Sequence, residues 1–196
     1  MPIKTYVSRT GLILGFHGAD KSTVERVLRG EVELKGSENS YDWLGNGIYF
    51  WDNSPSRALE WAHELSKRPG SKIKEPAVIG AILDLGYCLD LLDYRNLSAV
   101  KAGYDLLCAT TPSLPKNTGR SADLLKRELD CAVIETVHQY NKLQGEDGFD
   151  SVRGVFWEGA ELYPGGFFKE KDHIQICIRK TDCIKGYFLP LDRVSK

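Results

Sequence analysis

Three residues of this chain stand in contexts that suit them for chemistry on a small polar ligand. His17 precedes Gly18 at the end of a short apolar run, Tyr49 follows the turn Gly45-Asn46-Gly47 in a second run, and Gln175 alternates with apolar residues in a third. An imidazole and an amide exchange hydrogen bonds with hydroxyl groups, while an aromatic ring offers a platform. A glycine lets a ligand approach the backbone closely. His17, Tyr49 and Gln175 are therefore candidate site residues.

Apolar runs predict the strands that must position these side chains. Their ranges are 12–16, 47–51, 77–85, 151–157, 173–179 and 184–189. Two helices are predicted between the first three strands. The first is capped by Asp20 or Ser22 and ends at Gly30. The second begins at Ser54-Pro55, with Ser54 as its cap and proline at the first helical position, and ends at Pro69-Gly70.

Between residues 96 and 143 the apolar spacing becomes helical. One helix carries Val100, Tyr104, Leu107 and Cys108, and a longer one carries Leu124, Leu125, Leu129, Val133, Val137 and Tyr140. A loop at 110–120 separates them. Strands and helices followed by helices and then strands predict an α+β fold. Residues 1–196 are expected to form a single domain with a helical insertion at about 96–145.

Composition narrows the possible functions. The formal charge of −1 provides no overall basic field for holding nucleic acid. Five cysteines without CxxC spacing predict reduced core thiols in a cytoplasmic protein. No apolar run has the length of a signal or a membrane span, so we expect no membrane partner.

Two other enzyme classes are disfavoured by their missing motifs. His63 and His138 are isolated and no HExxH motif occurs, so no metal site is expected. Gly47-Ile48-Tyr49 matches half of the GIY-YIG nuclease signature, but no Tyr-Ile-Gly partner follows at hairpin distance.

The segment Gly15-Phe16-His17-Gly18, followed by Gly45-Asn46-Gly47-Ile48-Tyr49-Phe50, resembles the first two motifs of the His-Tyr-Glu branch of ADP-ribosyltransferases. This branch includes poly(ADP-ribose) polymerases and diphtheria toxin. Residues 173–179 resemble the family's glutamate strand, with Gln175 in the place of the glutamate, a position where the branch tolerates Glu, Asp or Gln. The resemblance implies a split, mostly antiparallel β core and NAD as substrate. It also implies that His17, Tyr49 and Gln175 line one cleft. Because helical period is confined to residues 96–143, between two strand-rich parts, we expect these helices to pack on one side, away from the NAD groove.

The resemblance also implies roles for individual residues. His17 would bind the adenosine ribose, and the Gly18 backbone would bind the nicotinamide amide at the floor of the cleft. Tyr49 would pack on nicotinamide. Trp61 would supply a second aromatic surface near the cleft mouth, if one residue is inserted in the alignment. Ser56 would hold the nicotinamide amide. Ser54 is an equally good alternative to Ser56.

The glutamine leaves open how charge is supplied to the reaction. Gln175 accepts a hydrogen bond from a ribose hydroxyl, but it carries no charge and is no general base. It is also compatible with an ordinary sheet position. In the loop before this strand, one of four carboxylates either substitutes for the missing charge or orients a nucleophile, or all of them are simply solvated: Glu158, Glu161, Glu170 and Asp172. Arg153 fits either a phosphate contact or a surface ion pair.

The expected activity is NAD-dependent mono-ADP-ribosyl transfer with release of nicotinamide. We expect no polymer, because the glutamate is associated with elongation in this family. The acceptor is undetermined, and protein, RNA, DNA and small molecules all remain open. Two alternatives are a catalytically weak module that binds NAD or ADP-ribose, and an NAD glycohydrolase.

Overall fold

A computed structural model describes residues 11–119 and 124–191 of the chain. The described residues form nine strands and four α-helices. The strands are β1 (Ile13–Asp20), β2 (Ile48–Asp52), β3 (Pro76–Leu83), β4 (Cys88–Asp90), β5 (Asn117–Thr118), β6 (Lys126–Arg127), β7 (Ser151–Phe156), β8 (His173–Ile178) and β9 (Ile184–Phe188). The helices are α1 (Lys21–Leu28), α2 (Pro55–Ser66), α3 (Leu97–Thr110) and α4 (Glu128–Leu143).

Seven of these strands form one sheet in the order β4-β7-β8-β2-β1-β3-β9. Its neighbouring strands are antiparallel except for β4 and β7, which are parallel. Strands β5 and β6 form a separate two-stranded ladder. The expected α+β class, with a mostly antiparallel sheet, is therefore confirmed.

The ladder between β1 and β2 is the shortest antiparallel connection within the large sheet. It contains only the pairs Gly15–Asp52 and Phe16–Trp51. By contrast, β1 pairs with β3 along its whole length, from Ile13 to Asp20. The β1–β2 ladder ends one residue before His17. The region beyond that point is where the candidate site lies.

Helices pack on both faces of the sheet, because successive residues of a strand point to opposite sides. Phe50 belongs to an apolar cluster with Val24 and Val27 of α1. The next residue, Trp51, packs on the other face with Ala58 of α2. On that same face, Ile134 and Val137 of α4 pack near Val152 and Cys177, which belong to β7 and β8. Helices α2 and α4 therefore flank a common stretch of sheet.

The predicted N-cap is confirmed for α1 but not for α2. Asp20 caps α1, since its carboxylate accepts a hydrogen bond from the Ser22 backbone N–H at 3.1 Å. Ser54 occupies the cap position of α2, but its side chain makes no capping hydrogen bond, contrary to our expectation. Pro55 at the start of α2 lacks one of the N–H groups that a cap would satisfy.

The second insertion helix begins later than its apolar spacing indicated. Helix α4 starts at Glu128, so Leu124 and Leu125 are not helical. Leu124 has a φ of 44°, and the next strand pairs Lys126 with Thr118, which removes this segment from the helix. Part of the predicted 110–120 loop is instead β5, and residue 120 lies outside the described residues.

The five cysteines, all of which lie within the described residues, form no disulfide and differ in burial. Four are buried, whereas Cys108 is exposed on α3. Burial raises the pKa of the Cys131 thiol to about 11. Over residues 11–119 and 124–191, no helix has the length and apolar character needed to cross a membrane.

Candidate functional site

A cleft of about 310 Å³ opens on the α2 side of the sheet. The sheet contributes His17, Tyr49, Trp51, Phe156 and Gln175 to its lining, and α2 contributes Arg57, Trp61, Glu64 and Leu65, with Arg68 just beyond the helix. The segment between α1 and β2 contributes Lys35, Ser37, Asn39, Tyr41, Asp42, Trp43 and Gly47. Leu125 and Glu158 complete the lining. The fold thus brings together four of the six expected site residues, namely His17, Tyr49, Trp61 and Gln175.

His17 lies just past the end of the β1–β2 ladder, and its ring forms a hydrogen bond across to β2. Its Nδ1 is 2.7 Å from the carbonyl oxygen of Tyr49. Because a carbonyl oxygen only accepts hydrogen bonds, Nδ1 carries the proton and Nε2 is an acceptor. Burial lowers the pKa of His17, so the ring is neutral at neutral pH. A neutral Nε2 suits a hydroxyl donor from a ligand.

Tyr49 offers its ring to the cleft and uses its hydroxyl internally. The hydroxyl donates to the Gly45 carbonyl at 2.9 Å and accepts from the Leu44 N–H at 2.9 Å. Burial raises the pKa of Tyr49 well above its usual value. Gly47 has a φ of 156°, and a Cβ there would lie 2.5 Å from the Ile178 carbonyl oxygen. The Gly-x-Gly turn therefore packs against β8 and holds Tyr49 in place.

Gln175 is anchored by a residue that our sequence analysis did not identify. The indole Nε1 of Trp43 donates to Gln175 Oε1 at 2.6 Å. The Trp43 ring packs 5.3 Å from the Phe156 ring, and a Cβ on Gly154 would lie 2.7 Å from it. No local pattern indicates this contact, because the two hydrogen-bonded residues are 132 positions apart.

Helix α2 forms one wall of the cleft through a stripe of regularly spaced residues. The stripe contains Arg57, Trp61, Glu64, Leu65 and, just past the helix end, Arg68. This spacing follows the helical repeat, and the eleven steps of about 1.5 Å from Arg57 to Arg68 give the stripe a length of about 16–17 Å. Trp61 packs on Trp51 with ring centroids 5.3 Å apart. The cleft is therefore elongated along the helix.

A buried ion pair closes the end of the cleft at the start of α2. Arg57 Nη2 donates to both carboxylate oxygens of Glu158, at 2.8 and 2.7 Å. The side chains of Arg57 and Glu158 are only 9% and 12% exposed. Lys171 binds Glu60 and Glu64 of α2 at 2.6 and 3.1 Å, so several ion pairs connect the β7–β8 loop to the helix.

Of the loop carboxylates considered above, Glu158 alone lines the cleft. Glu161, Glu170 and Asp172 are exposed and are not part of its lining. Arg153 is also absent from the lining. It is buried and forms ion pairs with Asp52 at 2.8 Å and Asp90 at 3.4 Å, an internal role rather than a surface one.

Gly18 and Ser56 are not among the residues that line the cleft. A Cβ on Gly18 would collide with the Ala58 carbonyl oxygen, so this glycine permits β1 and α2 to pack closely. Ser56 is exposed in the first turn of α2, whereas Ser54 is half-buried. Helices α3 and α4 contribute no residue to the lining, but Leu125, which precedes α4, does line the cleft, and Arg127 lies over the Phe156 ring at 4.6 Å.

Among the described residues, no group of three or more His, Cys, Asp or Glu side chains is arranged to hold a metal ion. The chemistry that the cleft offers is hydrogen bonding from an imidazole and an amide, aromatic packing from tyrosine and tryptophan rings, and charged groups along α2.

Comparison with known proteins gives one archaeal relative. The chain is 25% identical to the uncharacterized protein MJ0359 of Methanocaldococcus jannaschii over 186 residues, which cover 87% of this chain and 83% of the relative. No protein-family model matches the chain. No solved structure matches it significantly.

Proposed function

We propose that this protein is an NAD-dependent mono-ADP-ribosyltransferase of the His-Tyr-Glu type, with Gln175 in the place of the glutamate. The observation that carries the proposal is the convergence of His17, Tyr49, Trp61 and Gln175 on one cleft. These residues come from three strands and a helix, and they meet where the β1–β2 ladder ends. The family resemblance assigns each of them to NAD.

In this proposal the cleft binds the two halves of NAD in different ways. The neutral His17 accepts a hydrogen bond at Nε2 from a hydroxyl of the adenosine ribose. The rings of Tyr49 and Trp61 pack against nicotinamide. Loss of nicotinamide leaves an oxocarbenium-like ribose, as in glycoside cleavage. Fixed dipoles such as the Gln175 amide stabilise this developing charge, and an acceptor nucleophile then attacks the anomeric carbon.

The acceptor receives a single ADP-ribose. Chain elongation needs a group that deprotonates the next ribose hydroxyl, and a neutral amide is too weak a base. If water takes the place of the acceptor, the same cleft acts as an NAD glycohydrolase.

One contact favours a second candidate function, which is binding of NAD or ADP-ribose without turnover. Gln175 Oε1 already accepts a hydrogen bond from Trp43 at 2.6 Å. The acceptor oxygen at the glutamate position is therefore engaged by the protein itself and carries no formal charge. A cleft of this kind binds a dinucleotide but stabilises the transition state poorly.

The decisive measurement is nicotinamide release from NAD by the purified protein. We expect release by the wild type and at least a tenfold loss in His17→Ala, about the value of one hydrogen bond in the site. His63→Ala is the matched control, because His63 is exposed on α2 and does not line the cleft.

Intact-mass analysis of acceptor proteins and nucleic acids from lysate then distinguishes the outcomes. A mass gain of one ADP-ribose supports transfer, and nicotinamide without a modified acceptor supports glycohydrolysis. NAD binding without nicotinamide supports the binding module. Equal turnover by His17→Ala and the wild type would contradict the assignment of His17.

A further inference from the structure

Two cationic side chains line the cleft without a role in the chemistry described above. Lys35 lies in the irregular segment between α1 and β2, and Arg68 lies just past the end of α2. They reach the same cleft from separate elements. Each is exposed, so each remains accessible to a ligand.

Both side chains lack a partner within the described part of the chain. Neither makes a side-chain hydrogen bond or an ion pair with residues 11–119 or 124–191. Arg57, the other cationic side chain of the lining, is bound by Glu158 through two hydrogen bonds. The cleft therefore has one cationic group that is neutralised internally and two that are not.

A hydroxyl donor stands in the same lining. Ser37 accepts a hydrogen bond at Oγ from Asn39 Nδ2 at 2.6 Å, which leaves its own proton to donate elsewhere. The backbone of Ser37 is fixed by two hydrogen bonds with Gly47, at 2.8 and 3.0 Å. This anchor positions the segment that carries Lys35 against the turn that precedes Tyr49.

We propose that Lys35 and Arg68 bind the diphosphate of a dinucleotide, with the Ser37 hydroxyl as an additional donor. The inference rests on the proposed function, and it assigns one part of NAD to a part of the cleft. A diphosphate carries two negative charges, and charge-assisted hydrogen bonds from Lys and Arg are among the strongest that proteins make to phosphate. The two cations match these charges in number.

The distribution of charge along α2 indicates that the diphosphate lies toward Arg68 rather than toward Arg57. At the start of the helix, Arg57 lies within ion-pair distance of three carboxylates, at Glu158, Glu60 and Glu64. Such surroundings repel a diphosphate and tolerate a cationic nicotinamide ring. Toward Arg68 the stripe carries one carboxylate, Glu64, and its charge is compensated by Lys171 at 3.1 Å and Arg57 at 3.9 Å. The ligand therefore lies along α2 with its diphosphate toward Arg68.

The test measures ADP-ribose binding by calorimetry in Lys35→Ala, Arg68→Ala and the double variant. ADP-ribose contains the diphosphate but no nicotinamide, so the result does not depend on turnover. Each single variant should bind about tenfold more weakly, the size expected for one charge-assisted hydrogen bond. Affinity should fall with salt concentration for the wild type and less steeply for the double variant.

Lys67→Ala is the matched control. Lys67 is the exposed neighbour of Arg68 and does not line the cleft. Its removal should change affinity less than twofold, because surface substitutions without specific contacts have small effects. All these positions are exposed, so the variants should fold.

The outcomes separate this inference from the proposed function. If Lys35→Ala and Arg68→Ala bind ADP-ribose as Lys67→Ala does, or if the wild type does not bind it, the diphosphate site is wrong. If the variants bind ADP-ribose like Lys67→Ala but all of them release nicotinamide from NAD, the proposed enzymatic activity is still supported. If the variants show the expected losses but the wild type releases no nicotinamide, the diphosphate site stands and transferase activity is refuted.

Discussion

At the scale of single residues, the site depends on side chains that hold other side chains. Tyr49 is fixed by the backbone of residues 44 and 45, His17 by the Tyr49 carbonyl, and Gln175 by Trp43. Each contact uses one polar atom and leaves another group directed toward a ligand. This division explains how half-buried polar residues can be hydrogen-bonded within the protein and still be available to a ligand.

Trp43→Phe tests the anchor of Gln175. The phenyl ring retains most of the packing on Phe156, but Gln175 Oε1 loses its donor. We expect the free energy of unfolding to fall by about 1–2 kcal/mol, the usual cost of an unsatisfied polar group. Urea unfolding measures this loss. Trp157→Phe, at an exposed tryptophan, is the control and should change stability by less than about 0.5 kcal/mol. Equal losses of stability in the two variants would show that the Trp43–Gln175 hydrogen bond does not stabilise the fold.

Gln175→Glu tests whether the missing charge limits turnover. Glutamate keeps an acceptor for Trp43 Nε1 and adds a negative charge beside the cleft. On the proposed function we expect nicotinamide release to rise on the order of tenfold, within the range of a single electrostatic contact in an active site. Gel analysis of the wild-type product should show one ADP-ribose per acceptor site. Long polymers made by the wild type would refute the proposed chemistry.

At the scale of elements, the cleft depends on how closely α2 approaches the sheet. Gly18 of β1 faces the backbone of Ala58, and Ala58 and Ala62 are fully buried. Small residues on both sides bring the helix near the strand, which places the Arg57–Arg68 stripe along the cleft. Ion pairs from Glu158 and Lys171 of the β7–β8 loop to Arg57 and Glu60 then hold the helix in this position.

Gly18→Ala tests this close packing. A Cβ at position 18 would collide with the Ala58 carbonyl and approach the Ala62 Cβ at 3.0 Å, so α2 must shift. We expect destabilisation of about 1–3 kcal/mol, as in other overpacked cores, and weaker ligand binding. Thermal unfolding is the measurement, and Gly186→Ala is the control because a Cβ there meets nothing within 4 Å. A melting temperature of Gly18→Ala equal to that of the control would contradict the packing argument.

At the scale of the whole molecule, burial of histidines makes stability depend on pH. Burial lowers the pKa values of His17, His138 and His173. For His138 the folded-state pKa falls from 6.5 to about 4. The folded state therefore binds fewer protons than the unfolded state between these two pH values. The stabilisation is fully present above pH 6.5 and is lost progressively as the pH falls toward about 4.

His138→Phe tests this linkage. The phenyl ring can replace the imidazole against Phe149, whose ring centroid lies 5.7 Å away, but it does not take up a proton. We expect the variant to lose less stability than the wild type between pH 6.5 and about 4, by up to about 1.4 kcal/mol per pH unit. Urea unfolding across that range measures the slope. His63→Phe on exposed α2 should not flatten the curve, and an unchanged slope in His138→Phe would reject the role of His138.

The sequence by itself determined the elements whose signals are local. Alternating and continuous apolar runs indicated the strands that carry Tyr49 and Gln175, since burial of a strand face imposes that pattern within a few residues. They also indicated the first strand, although its predicted end at residue 16 fell short of His17, which β1 includes. The same local logic identified Asp20 as one of two candidate helix caps, together with the Gly-x-Gly turn before Tyr49. It failed at Leu124, where pairing of the next strand prevailed over helical spacing.

Tertiary structure alone decided which of these residues share a cleft and what holds them there. Arg57 and Glu158 are 101 positions apart, and Trp43 and Gln175 are 132 apart, so no local pattern encodes either contact. The exclusion of Gly18 and Ser56 from the lining likewise follows from the approach of α2 to β1 and from the orientation of its first turn. Side-chain partners across a sheet depend on strand order and register, and these are set by the packing of the whole chain.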